Sequence, residues 1–331
     1  MRDTYQIGIV TNAADLHGIA IQKALQSYDD VNCHVVESDN MCGNPTINWS
    51  STRKGSRESY PLLDRENQRI SLKNLDVIWW RRFNYKQRIV GIDDEVVTDL
   101  INNECTEGLL GVMMTEFLGT WISSPFATRR AENKIVQLKV AQEMGFKVPR
   151  TLVSQNPEKI RKFCKKLNNQ VVVKPIKGST LQTLFTRKIT EQHLRSDQAI
   201  KLAPAIYQEY IPGHRHIRVH CFGNSVYTAL IDSEDLDWRE NLEVPFTIIN
   251  LEKKLKNLIQ SVVRALGLKM GIIHHKRADD TTATWLEINP QGQFLFIEGL
   301  SGLELMSQFS KFLYSEAKAA RNKQKTFRLT Y

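Results

Sequence analysis

The sequence predicts an α/β protein of more than one domain, the first of them a doubly wound parallel domain. Three observations predict it. At 331 residues the chain exceeds what one small hydrophobic core accommodates, since domains run to about 100–200 residues. As far as Ser124, strand-like apolar runs alternate with helical periods, the pattern of a parallel sheet covered on both faces. From Thr128 the style changes, to long helices separated by groups of strands that include a hairpin.

Taken in order, Tyr5–Asn12 is a short apolar run, and Ala13–Gln26 carries a rough helical stripe of Leu16, Ile19, Ala20, Lys23 and Leu25. Val31–Glu37 alternates as a strand does. Asn40–Leu72 is polar, rich in Ser, Arg and Gly, and reads as a long excursion. Leu75–Phe83 joins β-branched and aromatic residues and leaves its strand on the pair Arg81 and Arg82. A helical period over Glu95–Leu118 and a short strand at Trp121–Ser124 close the first domain near Pro125. A helix over Ala131–Met144 then ends at Gly145, where a positive φ is commonly needed, and Pro149 follows. Val171–Pro175, Thr183–Ile189 and Ile206–Ile211 read as strands, and Ile217–Ile231 as two strands around Gly223-Asn224. Leu251–Leu266 reads as a helix, Met270–Lys276 and Thr284–Ile288 as strands, and Leu303–Tyr314 as a last helix before a basic tail.

Composition narrows the class. The chain is 41% hydrophobic and 24% charged with 17 Gly and 10 Pro, the make-up of a globular protein. No segment reaches the roughly 18 apolar residues of a membrane span and Met1–Val10 lacks a signal-peptide pattern, so the expected location is cytoplasmic. Five cysteines with no C-x-x-C pair argue against a disulfide framework or structural zinc. A net charge of +9 favours polyanionic partners, among them nucleotides and acidic peptides. The basic residues cluster only locally, at Arg53–Arg57, Arg161–Lys166 and Lys318–Arg328. With no zinc-finger, helix-turn-helix or RNP signature, nucleic acid is not favoured.

The chemistry concentrates in Trp285-Leu286-Glu287-Ile288-Asn289-Pro290. Strand alternation puts Glu287 and Asn289 on one face, with Leu286 and Ile288 turned into packing. A carboxylate and an amide oxygen so placed suit magnesium, which takes hard oxygen donors and keeps substrate phosphates in its shell. An edge strand with a polar face gives the same pattern. Upstream, Lys134 opens a helix and Lys174 ends the run Val171–Val173, each a compact charge suited to phosphate, although Lys134 alone also reads as a surface lysine. Lys177-Gly178-Ser179-Thr180 can offer backbone N–H groups to phosphate but lacks a P-loop pattern. Gln208, Glu209, Tyr210 and Ile211 form a strand exit that can read a base through its backbone. Arg218 within Ile217–Val219 can grip phosphate or carboxylate bidentately, or make a sheet-surface salt bridge.

This ordered set resembles the ATP-grasp ligases, the superfamily of glutathione synthetase, D-alanine:D-alanine ligase and ribosomal-protein glutamate ligases, over nearly the whole chain. The resemblance implies an N-terminal pre-ATP-grasp domain (1–125), a small central α+β lid (126–210), a C-terminal α+β part with the metal site (211–314) and a basic tail (315–331). It implies ATP and Mg2+ as cofactors. Lys134, Lys174, Gly178, Ser179 and the hinge Gln208–Ile211 would bind ATP, with Lys174 and Arg218 catalytic and Glu287 and Asn289 on the metal. Within the superfamily the chain is most similar to the microviridin-type, or graspetide, ligases that macrocyclise ribosomal peptides. Ile78–Arg82, Asp237-Trp238-Arg239 and Glu287–Phe294 carry that likeness, and by it Arg218, Asp237, Trp238 and Arg239 would contact the substrate; a surface turn with a packed indole is the plainer reading of the middle segment.

One position departs from that pattern. Where the family has Gly-x-x-Asp, supplying a third metal ligand, this chain reads Gly271-Ile272-Ile273-His274. Imidazole suits magnesium poorly; His274 is expected third in the metal set, lining the site through a water, with a structural core histidine as the alternative. The expected reaction is ATP-dependent joining of a carboxylate to an amine or alcohol through an acyl phosphate, on Asp or Glu side chains of an acidic precursor peptide, with a homodimer allowed for. The alternatives are a RimK-like ligase adding amino acids to a protein or small molecule, and an ATP-binding regulator without turnover.

Overall fold

The computed structural model describes residues 4–43, 47–51, 61–83, 86–178, 182, 184–277 and 283–329. The chain forms two compact units, Met1–Ser124 with Glu304–Tyr331, and Pro125–Leu303. Among the described residues, no helix is long and apolar enough to cross a membrane.

In the first unit four strands make an all-parallel sheet in the order Val31–Glu37, Tyr5–Thr11, Val77–Trp80, Thr120–Ile122. Alternation divides their side chains between two faces. On one, Val10, Ile78 and Trp80 pack with Leu109, Val112 and Met113 of the helix Glu95–Glu116. On the other, the buried Trp79 ring lies 4.6 Å from Phe309 of the helix Leu305–Leu329. The sheet is thus doubly wound, as the alternation predicts. Asp15 caps the helix Leu16–Leu25 and Asp94 caps Glu95–Glu116, each carboxylate accepting from first-turn N–H groups.

The final helix runs well past the expected end at Tyr314. Its apolar stripe continues through Leu313, Ala317 and Ala320, all buried, and Arg321 Nε bonds Asp76 Oδ1 at 3.2 Å. The basic tail therefore continues this helix as far as Leu329. Among the described residues, the polar excursion contains a short antiparallel pair, Pro61–Leu63 with Arg69–Ser71.

The second unit holds two antiparallel sheets. The smaller has the order Thr151–Ser154, Ala205–Glu209, Val171–Lys174, Arg187–Lys188. The larger has the order Phe246–Ile248, Ser225–Asp232, Arg215–Phe222, Met270–Arg277, Ala283–Asn289. Its apolar face, with Val219, Ile273, Trp285 and Ile288, packs on Ile259 and Val262 of the helix Lys253–Ala265 and on Val140 of Lys134–Glu143. The hairpin turns at Gly223, whose φ of 56° lies in the left-handed region that glycine enters without steric cost. The single helix expected over 131–144 is two, Pro125–Glu132 and Lys134–Glu143. Asn133 breaks it: at φ −78° and ψ 111° it is extended, and its side chain caps the N–H groups of Ile135 and Val136.

Candidate active site

Register on the larger sheet builds the site. Arg218 stands opposite His274, and His274 opposite Glu287, so three neighbouring strands present these side chains in one row. Between His274 and His275 the register slips, because His274 faces Glu287 while His275 faces Trp285. Leu286 is the extra residue of a bulge. Strict alternation places Leu286 in packing, but the bulge re-aims it into the cleft beside Glu287, while Trp285 and Ile288 stay in the core.

A cleft of about 480 Å³ opens over this row, within the usual range for small-ligand sites. It gathers Lys134, Lys174, Gly178, Asp237, Trp238, Arg239, His274, Glu287 and Asn289 from segments spread over 156 positions of sequence. Lys134 Nζ donates to the Pro175 carbonyl at 3.2 Å and lies 3.9 Å from Glu287 Oε2. The Asn289 side-chain oxygen accepts from the Gln291 N–H at 2.9 Å, fixing the turn after the strand. Asp237 holds Arg239, with Nε to Oδ1 at 2.7 Å and Nη2 to Oδ2 at 2.5 Å, and Thr186 N–H also points to it at 3.4 Å. Trp238 between them is buried, starting a short 3₁₀ turn.

Arg218 lies behind the cleft wall. One guanidinium nitrogen meets His274 Nε2, and Nη2 donates to the Gln293 carbonyl at 2.6 Å. Its Cζ lies 5.6 Å from the Trp238 ring and 5.3 Å from Phe296, close enough for cation–π attraction.

The electrostatics follow from this crowding. Burial opposes ionisation of Glu287, but Lys174, Lys134, Arg239 and Arg218 outweigh it and hold the carboxyl below its ordinary range. Burial, with Lys134 and Arg239 nearby, lowers the Lys174 ammonium, while Glu287 resists. Burial and the Arg239 charge bring Arg218 down to about 9, so it remains a cation at neutral pH. Burial, then Arg218 and Arg239, hold the His274 imidazole well below its ordinary range, hence neutral.

The hinge residues do not line this cleft. Gln208 spends its side-chain amide on Thr151 Oγ1 at 2.8 Å, and Glu209 is paired with Arg150 at 2.8 Å. The N–H groups of Glu209 and Tyr210 go to the carbonyls of Arg150 and Gln170. Tyr210 carries Lys188 4.2 Å from its ring centre, and Ile211 follows the strand end. Ser179 lies outside the described residues.

One contributor was not read from the sequence. Gln137, buried on the helix Lys134–Glu143, donates to the Ile288 carbonyl at 2.8 Å and accepts from the Ile288 N–H at 3.0 Å. It pins the strand between Glu287 and Asn289. Its only sequence signal is a polar residue one turn after Lys134 on the buried stripe.

The RimK-like ATP-grasp domain family matches residues 131–313, more than half of the chain. The chain belongs to this family. The alpha-aminoadipate–LysW ligase LysX of Sulfurisphaera tokodaii is 25% identical over 148 residues, covering 42% of this chain and 52% of that protein. The match thus spans about half the length of that relative. The macrocyclase MdnC of Microcystis aeruginosa MRC, solved bound with precursor peptide MdnA, matches with TM-score 0.81 and 24% identity, covering 93% of this chain and 99% of that one. A RiPP-associated ATP-grasp ligase of Chryseobacterium gregarium, solved with ADP and a leader and core peptide, gives TM-score 0.79 and 23% identity, covering 97% of each. These structures share the ATP-grasp fold that the sequence predicts.

ATP with Mg2+ is the cofactor pair of ATP-grasp enzymes, and the donor set here fits it. Glu287 and Asn289 offer hard oxygens, and Lys134 and Lys174 offer charge to phosphates at the same cleft. Among the described residues no three His, Cys, Asp or Glu side chains form a metal cluster.

Proposed function

We propose that this ATP-grasp protein is an ATP-dependent ligase acting on Asp or Glu side chains of an acidic precursor peptide, which it cross-links as esters or amides. The observation that carries the reading is the meeting of Lys134, Lys174, Glu287 and Asn289 in one cleft that also holds the Asp237–Arg239 pair. The first four belong to the nucleotide and its metal. Gly178, Ser179 and the hinge Gln208–Ile211 complete the ATP site. Arg218, Asp237, Trp238 and Arg239 belong to the substrate carboxylate.

A substrate carboxylate oxygen attacks the γ-phosphorus of ATP, releasing ADP and leaving an acyl phosphate. An amine or hydroxyl then attacks the acyl carbon and loses its proton as phosphate departs. Positioning and charge neutralisation carry both steps, with no enzyme nucleophile. The division at 125, 210 and 314 into N-terminal domain, lid, metal-bearing part and tail belongs to the same reading, as does action in the cytoplasm. The peptide substrate is supported by the precursor peptides bound to MdnC and to the Chryseobacterium ligase, and by a net charge of +9 that draws acidic chains.

A second reading, addition of an amino acid to a protein or small molecule, is favoured by the likeness to LysX. Incubation with ATP, Mg2+ and the acidic peptide encoded nearest the gene separates the two. Loss of water from the peptide in the mass spectrum supports cross-linking. Mass gain by an added amino acid supports the second reading, and an unaltered peptide overturns the first.

A further inference from the structure

We propose that His274 is a positioning residue that holds Arg218 in place beside Glu287 and is not a ligand of the metal. The proposal rests on reading the cleft as a magnesium–nucleotide site.

A guanidinium has only donors, so the Arg218 contact with His274 Nε2 requires a lone pair on that nitrogen. The single proton of the neutral ring is then on Nδ1, which faces Glu287 Oε1 at 3.6 Å. Both ring nitrogens are thereby assigned, and neither keeps a lone pair for a metal. The ring is half-enclosed in its row, 6.1 Å from Trp238, and Trp238 stacks on Phe296 at 6.2 Å with 22° between the planes. The same two aromatic rings flank Arg218, and the Gln293 carbonyl holds its other arm. His274 thus completes a cage that fixes the guanidinium.

Charge gives the arrangement a consequence. A carboxylate at this position would pair with Arg218 and spend its cation inside the protein. A neutral imidazole anchors the guanidinium without neutralising its positive charge. The metal set reduces to Glu287 and Asn289, with phosphate and water supplying the rest.

Three measurements test this on the full chain. Nitrogen-labelled histidine NMR of the free protein, with the His274 signal assigned by its loss in His274→Gln, reads the tautomer directly. The Nδ1–H form, unchanged on adding Mg2+ and ADP, is expected; the Nε2–H form, or a change of tautomer on adding them, overturns the proposal. Calorimetry of ADP binding gives the second test. His274→Gln should shift the Mg2+ requirement by less than about twofold, and a rise of more than about tenfold, as for a lost metal contact, overturns it. Third, His274→Gln keeps an acceptor for Arg218 and should retain the KM for the carboxylate substrate. His274→Ala removes that acceptor and should raise the KM while leaving the KM for ATP unchanged. Equal effects of Gln and Ala on both constants overturn it. Should wild-type protein fail to bind ADP with Mg2+, the ligase reading falls, and the tautomer of the free protein still decides the role of His274.

Discussion

The side chain of Gln137 clamps both backbone groups of Ile288, 151 residues away, with hydrogen bonds of 2.8 and 3.0 Å. Ile288 lies between Glu287 and Asn289, so the helix that opens with Lys134 also sets the position of these two proposed metal ligands. A third bond, from Gln137 Nε2 to the Ala131 carbonyl at 2.6 Å, spans the break at Asn133. The start of the Lys134 helix and the strand carrying Glu287 and Asn289 are therefore held as one piece.

Gln137→Leu should cost stability and turnover together. It keeps the volume but leaves the buried Ile288 N–H and carbonyl without partners, at about 1–3 kcal/mol. Urea unfolding measures the loss, and a change near zero would show that the clamp is dispensable.

Glu287→Gln should lower kcat by about 10²–10³ or more, because on the proposed reading it removes a carboxylate from the metal while keeping the shape. The fold should survive, since Glu287 faces the cleft and not the core. Steady ADP release by this variant would place the metal elsewhere.

Acid should destabilise the protein in a defined window. Burial opposes ionisation of both Glu287 and Asp237, yet neighbouring cations win and both carboxyls lie below their ordinary range. A folded pKa below the unfolded one gives stability that is complete above the unfolded value of about 4 and is lost as pH falls through the folded value. The unfolding midpoint should therefore drop below about pH 4, and Asp237→Asn should flatten that drop. A midpoint equally steep in the variant would remove Asp237 from the account.

Alkali acts on Lys174. Burial lowers its pKa, so its charge is lost earlier than that of an ordinary lysine as pH rises. ADP affinity should weaken on the alkaline side, and Lys174→Arg, which stays charged, should move that weakening upward. Titration of ADP binding against pH reads it, and coincident limbs would contradict it.

Much of this was legible where local pattern decides structure. Alternation in the strand ending at Asn289 put Glu287 and Asn289 on the ligand side, and apolar spacing gave the doubly wound first unit and the hairpin at Gly223. The bulge at Leu286 was not legible, because a register slip depends on the partner strand that carries His274 and His275. The break at Asn133 was hidden by helical periodicity running across it. The helix beyond Tyr314 looked like a charged tail, since its buried face rests on small residues such as Ala317 and Ala320. The segment read as a hinge, Gln208–Ile211, lies off the cleft lining, its side chains Gln208 and Glu209 committed to Thr151 and Arg150 and the N–H groups of Glu209 and Tyr210 to backbone carbonyls. Gln137 showed nothing distinctive, because its partner is a main chain far along the sequence.

On the proposed function, the cleft activates a carboxylate by phosphoryl transfer. A peptide substrate carrying heavy oxygen in its Asp and Glu carboxyl groups tests it most directly, with the released inorganic phosphate examined by mass spectrometry after turnover with ATP and Mg2+. Transfer of one heavy oxygen to phosphate per bond formed is the predicted result. Phosphate whose added oxygen comes only from water would contradict the account.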